Sequence, residues 1–130
     1  MKTKSILLAA LVVSTLVLTS CKKDKENPTI TVTEPTEHST HKWGAEVHIH
    51  ADFEDDRGLK SYEVMVGDEA GTHDHMFDWH KMGTAEGVSH HFHEHFMVPD
   101  SAMSMRWVHF TVTDAEDKVT TKSWMLHFEE

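Results

Sequence analysis

Short segments of alternating polarity, set apart by turn residues, predict an all-β protein: an antiparallel immunoglobulin-like β-sandwich of about seven strands. Three observations carry this prediction. Six segments alternate apolar and polar residues with the period of two that a half-buried strand requires. Turn formers such as Glu54-Asp55-Asp56-Arg57-Gly58, Pro99-Asp100 and Asp114 to Lys118 separate them, and no 3.6-residue pattern is visible beyond residue 28. From Pro28 onward about 100 residues remain, the size of one sandwich domain.

The chain opens differently. Lys2 and Lys4 precede an apolar run from Ile6 to Leu18, which ends in Leu18-Thr19-Ser20-Cys21. A positive start, a short apolar run and small residues before a cysteine describe a lipoprotein signal peptide over residues 1–20. The run is shorter than the roughly 20 residues of a comfortable membrane span. Cys21 is then the lipidation site and the link to the membrane. Residues 21–27 combine this cysteine with the charged run K-K-D-K-E-N and read as a tether. The sandwich domain occupies 28–130.

Within the domain, Thr29 to Thr33 reads as a first strand, and Pro35 after it marks an edge or a crossing point. A polar stretch with His38 and His41 follows. Ala45 to Phe53 then sets Ala45, Val47, Ile49, Ala51 and Phe53 on an inner face, with Glu46, His48, His50 and Asp52 outside. Leu59 to Val66 turns Tyr62, Val64 and Val66 inward. Gly67 to Gly87 is long for a structureless loop, and a short strand is expected near Met76 to Lys81. Val88 to Val98 puts Phe92 and Phe96 on one face, and His91, His93 and His95 on the other. Met105 to Thr113 buries Val108, Phe110 and Val112, and Val119 to Phe128 turns Trp124, Leu126 and Phe128 inward.

Composition narrows the function. The chain carries 12 basic and 22 acidic residues. Removing the leader takes away Lys2 and Lys4 and leaves a formal charge of -12. Nucleic acid is excluded as a partner, because phosphate binding relies on basic patches. With its single cysteine assigned to lipid, the domain has no disulfide and no thiolate metal site. No nucleophile motif and no glycine-rich phosphate loop is present.

Histidine is the unusual component, with all 13 residues beyond the leader. Three H-x-H units stand out: His48-Ile49-His50, His73-Asp74-His75 and His91-Phe92-His93-Glu94-His95. Residues two apart in a strand point the same way at roughly 6.5 to 7 Å, from which two imidazoles can converge on one ion. Zinc and copper accept such nitrogens. In a sandwich of this topology the strands carrying His48 and His95 are antiparallel neighbours. His50 is then expected beside His93 and His48 beside His95, with His73, His75 or His80 of the long loop capping the group. The candidate ligands are His48, His50, His91, His93, His95, His73, His75 and His80. For any single histidine, an exposed polar position on a solvated sheet face is the better explanation. The set as a whole favours a shared cation, which relieves the repulsion between crowded imidazoles.

His90 has inward parity and belongs to the fold, whereas His109 and His127 belong to the other sheet. Met76, Met97, Met103 and Met105 add thioether sulfur, which suits Cu(I). The acidic turns containing Asp52, Glu54, Asp55 and Asp56, and Asp114, Glu116 and Asp117, should meet at one end of the sandwich. Calcium takes such oxygen ligands, but solvated turns paired with Arg57 and Lys118 are the preferred reading. Glu94 is a conceivable general base for a zinc hydrolase, yet its parity points it away from His93 and His95. A binder therefore ranks above an enzyme. A structural or adhesion module with incidental histidines is the alternative class.

The layout resembles an uncharacterised family of short lipoproteins from Bacteroidetes-type bacteria with an immunoglobulin-like or cadherin-like domain. The resemblance rests on S-C-K-K-D after the leader, P-T-I-T-V, D-D-R-G-L-K-S-Y-E-V, H-F-H-E-H-F-M-V-P and F-T-V-T-D-A-E-D-K-V-T, and covers nearly the whole chain. It implies a fold and a location, a lipoprotein of the outer membrane facing the periplasm or the exterior, and no established activity. The expected role is capture, buffering or delivery of zinc or copper, with an envelope transporter or receptor as partner.

Overall fold

The computed structural model describes residues 23–130, so the leader and Cys21 lie outside the described residues. Eight strands form: β1 (Thr29–Glu34), β2 (Thr40–Lys42), β3 (Glu46–Glu54), β4 (Leu59–Gly67), β5 (His80–Thr84), β6 (Ser89–Met97), β7 (Met105–Asp114) and β8 (Val119–Glu129). They make two sheets, one ordered β1-β3-β6 and the other β2-β8-β7-β4-β5. Among the described residues there is no helix. The arrangement is the all-β sandwich that alternation predicts, with β3 and β6 adjacent in one sheet.

Alternation places the core. Val47, Ile49, Ala51 and Phe53 from β3 and Phe92 and Phe96 from β6 face Val64 and Val66 from β4, Val108, Phe110 and Val112 from β7, and Leu126 and Phe128 from β8. Each side chain withdraws its apolar surface from water, which supplies the main driving force for closing the two sheets. Phe53 sits at the centre, with ring centroids 5.8 Å from Tyr62, 5.9 Å from Phe92 and 6.4 Å from Phe110.

Three features depart from the sequence reading. First, the polar stretch after Pro35 contains β2, which pairs parallel with β8 in the register Thr40↔His127 to Lys42↔Glu129. The chain thus crosses between sheets after the cis Glu34-Pro35 bond, so not every pairing is antiparallel. Three residues reading T-H-K have no apolar alternation to announce a strand. Second, the strand expected near Met76 to Lys81 begins only at His80. Phe77 and Trp79 are buried upstream of it, wedged against Phe96 at centroid distances of 5.5 and 5.3 Å. Their apolarity reflects plugging of the core rather than a ladder position. Third, Asp24 is buried and pairs with Lys118, so the packed structure extends upstream of Pro28 into the stretch read as tether.

Candidate metal centre

The outer face of the three-stranded sheet follows from the pairing of β3 with β6. His48 lies opposite His95, His50 opposite His93 and Asp52 opposite His91. The cross-strand neighbours expected from the sequence are the observed ones. Directly opposed residues bring their Cβ atoms to about 4.5 to 5.5 Å, so imidazoles on such positions must meet.

His50 is the hub. Its ring centroid is 3.9 Å from that of His93, 6.2 Å from His48 and 6.1 Å from His91. His48 lies 6.0 Å from His93 and 5.8 Å from His95. One ring nitrogen from each of His48, His50 and His93 comes within 4.8 Å of the other two. Tetrahedral bonds of about 2.0 to 2.1 Å hold ligand nitrogens roughly 3.3 Å apart, a closure that rotation of the exposed His48 and His93 rings toward His50 can supply. His91 and His95 flank this trio as candidates for the fourth position.

Carboxylates surround the rings. Glu34 Oε2 lies 3.5 Å from His50 Nδ1, Glu46 Oε1 2.8 Å from His48 Nε2, and Asp52 Oδ1 2.7 Å from His91 Nδ1. A carboxylate on one ring nitrogen orients the imidazole and raises the basicity of the other nitrogen. For His50 that other atom, Nε2, is buried and has no hydrogen-bond partner among the described residues. Its side chain is 27% exposed, against 47% for His48 and 61% for His91.

Glu34 is the residue that parity misses. Counting by twos from Ile30 and Val32 puts it on the core face. A register shift between Val32 and Glu34 inserts Thr33 and sends Glu34 to the outer face opposite His50. Thr33 Oγ1 donates to the His50 carbonyl at 3.2 Å, so the bulge also ties β1 to this point of β3. The run T-V-T-E carries no local signal for such a bulge.

The long loop does not cap this group. Trp79 reaches β6 from the core side, its indole Nε1 donating to the His95 carbonyl at 2.8 Å. His80 follows on the outer face of the opposite sheet, where its Nε2 meets Glu63 Oε1 at 2.6 Å. His73 lies 5.7 Å from His80 and 5.3 Å from His75 in centroid distance. His73, His75 and His80 thus form a second, separate group, in which His73 Nε2 is buried without a partner among the described residues. Alternation reverses at the buried Trp79 and turns His80 outward on the far side. Beside this group, Asp74 pairs with Arg106. Burial pushes its carboxyl up, and the Arg106 hydrogen bond and the Met76 N–H more than offset this, leaving it below its ordinary value.

The remaining candidates have fold partners. His90 stacks on Tyr62 at 4.8 Å, and Glu94 pairs with Lys81 at 3.8 Å, as inward parity requires. His109 lies between Ser123 Oγ at 2.9 Å and the Asp68 carbonyl at 2.6 Å. His127 neighbours His38 at 5.9 Å. His41 accepts or donates at Ser39, and burial holds its ring below the ordinary value. Of the methionines, Met97 shares the outer face of β6 with His95, whereas Met103 Sδ accepts from Arg106 Nη2. The acidic turns do meet, but Asp55 and Asp114 are buried rather than solvated.

Comparisons with known proteins agree with a domain lacking an assigned role. The model of a family described as a domain of unknown function (DUF4625) matches residues 19–127. No curated protein matches. Among solved structures, the chain is similar to Spo0M, a sporulation control protein from Bacillus subtilis, with a TM-score of 0.44 and 12% identity. That match covers 80% of this chain and 49% of Spo0M, so the chain spans about half the length of that protein.

Proposed function

The chain belongs to the DUF4625 family of unknown function, and on that premise we propose that it is a lipid-anchored envelope protein that binds a transition metal, zinc or copper, through its histidine-bearing sheet face. The single observation supporting this reading is the convergence of His48, His50 and His93, with the unpartnered Nε2 of His50 among them and Glu34 behind it. Imidazole is a ligand of borderline softness and suits both Zn(II) and Cu(II). His91 or His95 completes the coordination, and Met97 extends the same face toward Cu(I). His73, His75 and His80 form a separate group and contribute no ligand to this position.

The role is capture, buffering or delivery rather than catalysis. Glu94, the carboxylate between His93 and His95 in sequence, is engaged by Lys81 on the inner side. An open sheet face also exposes a bound metal to exchange with a partner such as an envelope transporter or receptor. Cys21 carries the lipid and holds the domain at the outer membrane.

Metal analysis of protein expressed without a tag tests the reading. One equivalent of zinc or copper per chain is expected after purification, and His50→Thr together with His93→Thr should lose it. Absence of metal from the native protein, combined with unchanged melting in Zn(II), Cu(II) and Cu(I) at neutral pH, overturns it. For the anchor, Cys21→Ser should move the protein from the membrane fraction to the soluble one; continued membrane association refutes lipidation at that residue.

A further inference from the structure

A different set of ligands converges where the turn after β3 approaches the turn between β7 and β8. Asp55 follows β3, Asp114 ends β7, Glu116 lies in the β7–β8 turn, and Asp24 comes from the segment preceding β1. One carboxylate oxygen from each lies within 4.8 Å of the others. Asp24 is 8% exposed, Asp55 6% and Asp114 0%. Carboxylates that leave water in this way require compensation by a counter-charge or a metal.

Lys118 supplies part of that compensation. Its Nζ pairs with Asp24 and lies 2.6 Å from Asp114 Oδ2. One ammonium against three buried carboxylates and the neighbouring Glu116 leaves a surplus of negative charge.

Asp55 gives the independent indication of a ligand. Its Oδ1 accepts the N–H groups of Arg57 and Gly58, each at 2.9 Å, in a turn where Gly58 has φ 132°. Its Oδ2 is buried and has no hydrogen-bond partner among the described residues. A charged oxygen, buried without a partner, on a carboxylate that faces three others is the arrangement a cation satisfies.

We infer that Asp24, Asp55, Asp114 and Glu116 form a calcium site that fastens the segment following Cys21 to the end of the sandwich. The donors are all oxygen, and they come from separate loops rather than one rigid element. That set suits the large, geometrically tolerant Ca²⁺ over Mg²⁺, which demands near-octahedral order and keeps its waters. Binding moves the Lys118 ammonium out of the group, since both cations use Asp24 and Asp114. This site shares no residue with the histidine face, and its ligands are hard where imidazole is softer, so either reading can fail without the other.

Thermal melting of the chelator-stripped protein with CaCl2, at constant ionic strength and with MgCl2 in parallel, tests the inference. Melting should rise through about 1 mM calcium, the range of extracellular modules, with a smaller response to magnesium. Asp55→Asn keeps the acceptor for the Arg57 and Gly58 amides and removes the charge, and should abolish the calcium response. Glu116→Gln, at an exposed position, should keep the fold and weaken the response. Lys118→Met removes the competing cation: the stripped protein should melt lower, and calcium should bind about tenfold or more tightly and restore stability. A wild-type response no greater than that to magnesium, an unchanged response in both carboxylate variants, or a Lys118→Met protein that calcium fails to rescue, overturns the site.

Discussion

His50→Thr separates a built metal site from a merely histidine-rich surface. In the free protein the substitution should be mild. Threonine supplies a β-branched side chain, which a strand favours, and the side chain removed is 27% exposed with one nitrogen unpartnered. The free protein should therefore change by no more than about 1 kcal/mol. The effect in metal is larger. At free zinc one hundred times the dissociation constant, linkage adds about 2.7 kcal/mol, or roughly 10 to 20 °C in a domain of this size. Loss of a partner that only orients a ligand weakens metal binding about 10- to 100-fold, and loss of the hub ligand belongs at the upper end or beyond. A hundredfold loss leaves the variant at its own dissociation constant, where linkage gives about 0.4 kcal/mol, or roughly 2 to 3 °C. Differential scanning fluorimetry in metal-free buffer with added Zn(II) reads both numbers. Equal shifts in wild type and His50→Thr would refute the assignment of His50 as hub, and no shift in either would refute the site. At pH 5 the wild-type shift should shrink, because protons compete for the imidazoles.

Other perturbations follow from the same geometry. Glu34→Gln should weaken zinc binding about 10- to 100-fold with all histidines in place, read by competition with a chromogenic chelator; unchanged affinity denies the bulge a functional role. Asp74→Asn keeps an acceptor for the Met76 N–H but uncouples Arg106. Chemical denaturation at pH 7 should show a loss of about 1 to 2 kcal/mol. The Asp74 carboxyl is held below its ordinary 3.8 when folded, so this contribution is fully present above that value and disappears as pH falls through the lower folded one. Wild type and variant should converge in acid, and a constant gap would contradict the assignment. At Gly67 an added Cβ would lie 2.4 Å from the Thr72 carbonyl oxygen. Gly67→Ala should therefore cost about 1 to 3 kcal/mol and speed hydrogen exchange at the Asp68 and Asp74 amides, which bond to Thr72 and Val66; native protection at both would show that the loop yields without strain.

How much of this was legible in the sequence depended on whether a local period governed the position. Along β3 and β6 the inner face had to be apolar, so a slip of one residue would have exposed Phe53 and Phe92 and buried the histidines. That constraint made the pairing of His48 with His95 and of His50 with His93 readable from parity and topology together. It failed where parity is locally broken. Thr33 as a bulge residue reversed Glu34, and Phe77 and Trp79 filled the core from a loop and carried His73, His75 and His80 to the opposite sheet. The burial of Asp24 was invisible for another reason. A charged segment has no apolar pattern, and only the convergence of two distant turns gives it something to pack on.

The two cation environments meet on β3, which carries His48 and His50 in its middle and leads into Asp55 at its end. At roughly 3.3 Å per residue, His50 and Asp55 are about 16 Å apart along the strand. That exceeds the Debye length of about 8 to 10 Å at ordinary ionic strength, and the two groups share no ligand. Direct electrostatic competition between the sites is therefore screened, and stabilisation by one ion should leave the affinity for the other nearly unchanged. Zinc and calcium should raise stability additively, within about 0.5 kcal/mol, as expected for independent sites. Measuring the zinc response in stripped protein, in calcium, and in Asp55→Asn decides the point. If Asp55→Asn removed the zinc response as well, β3 would be acting as a coupled element and the two sites would have to be treated as one.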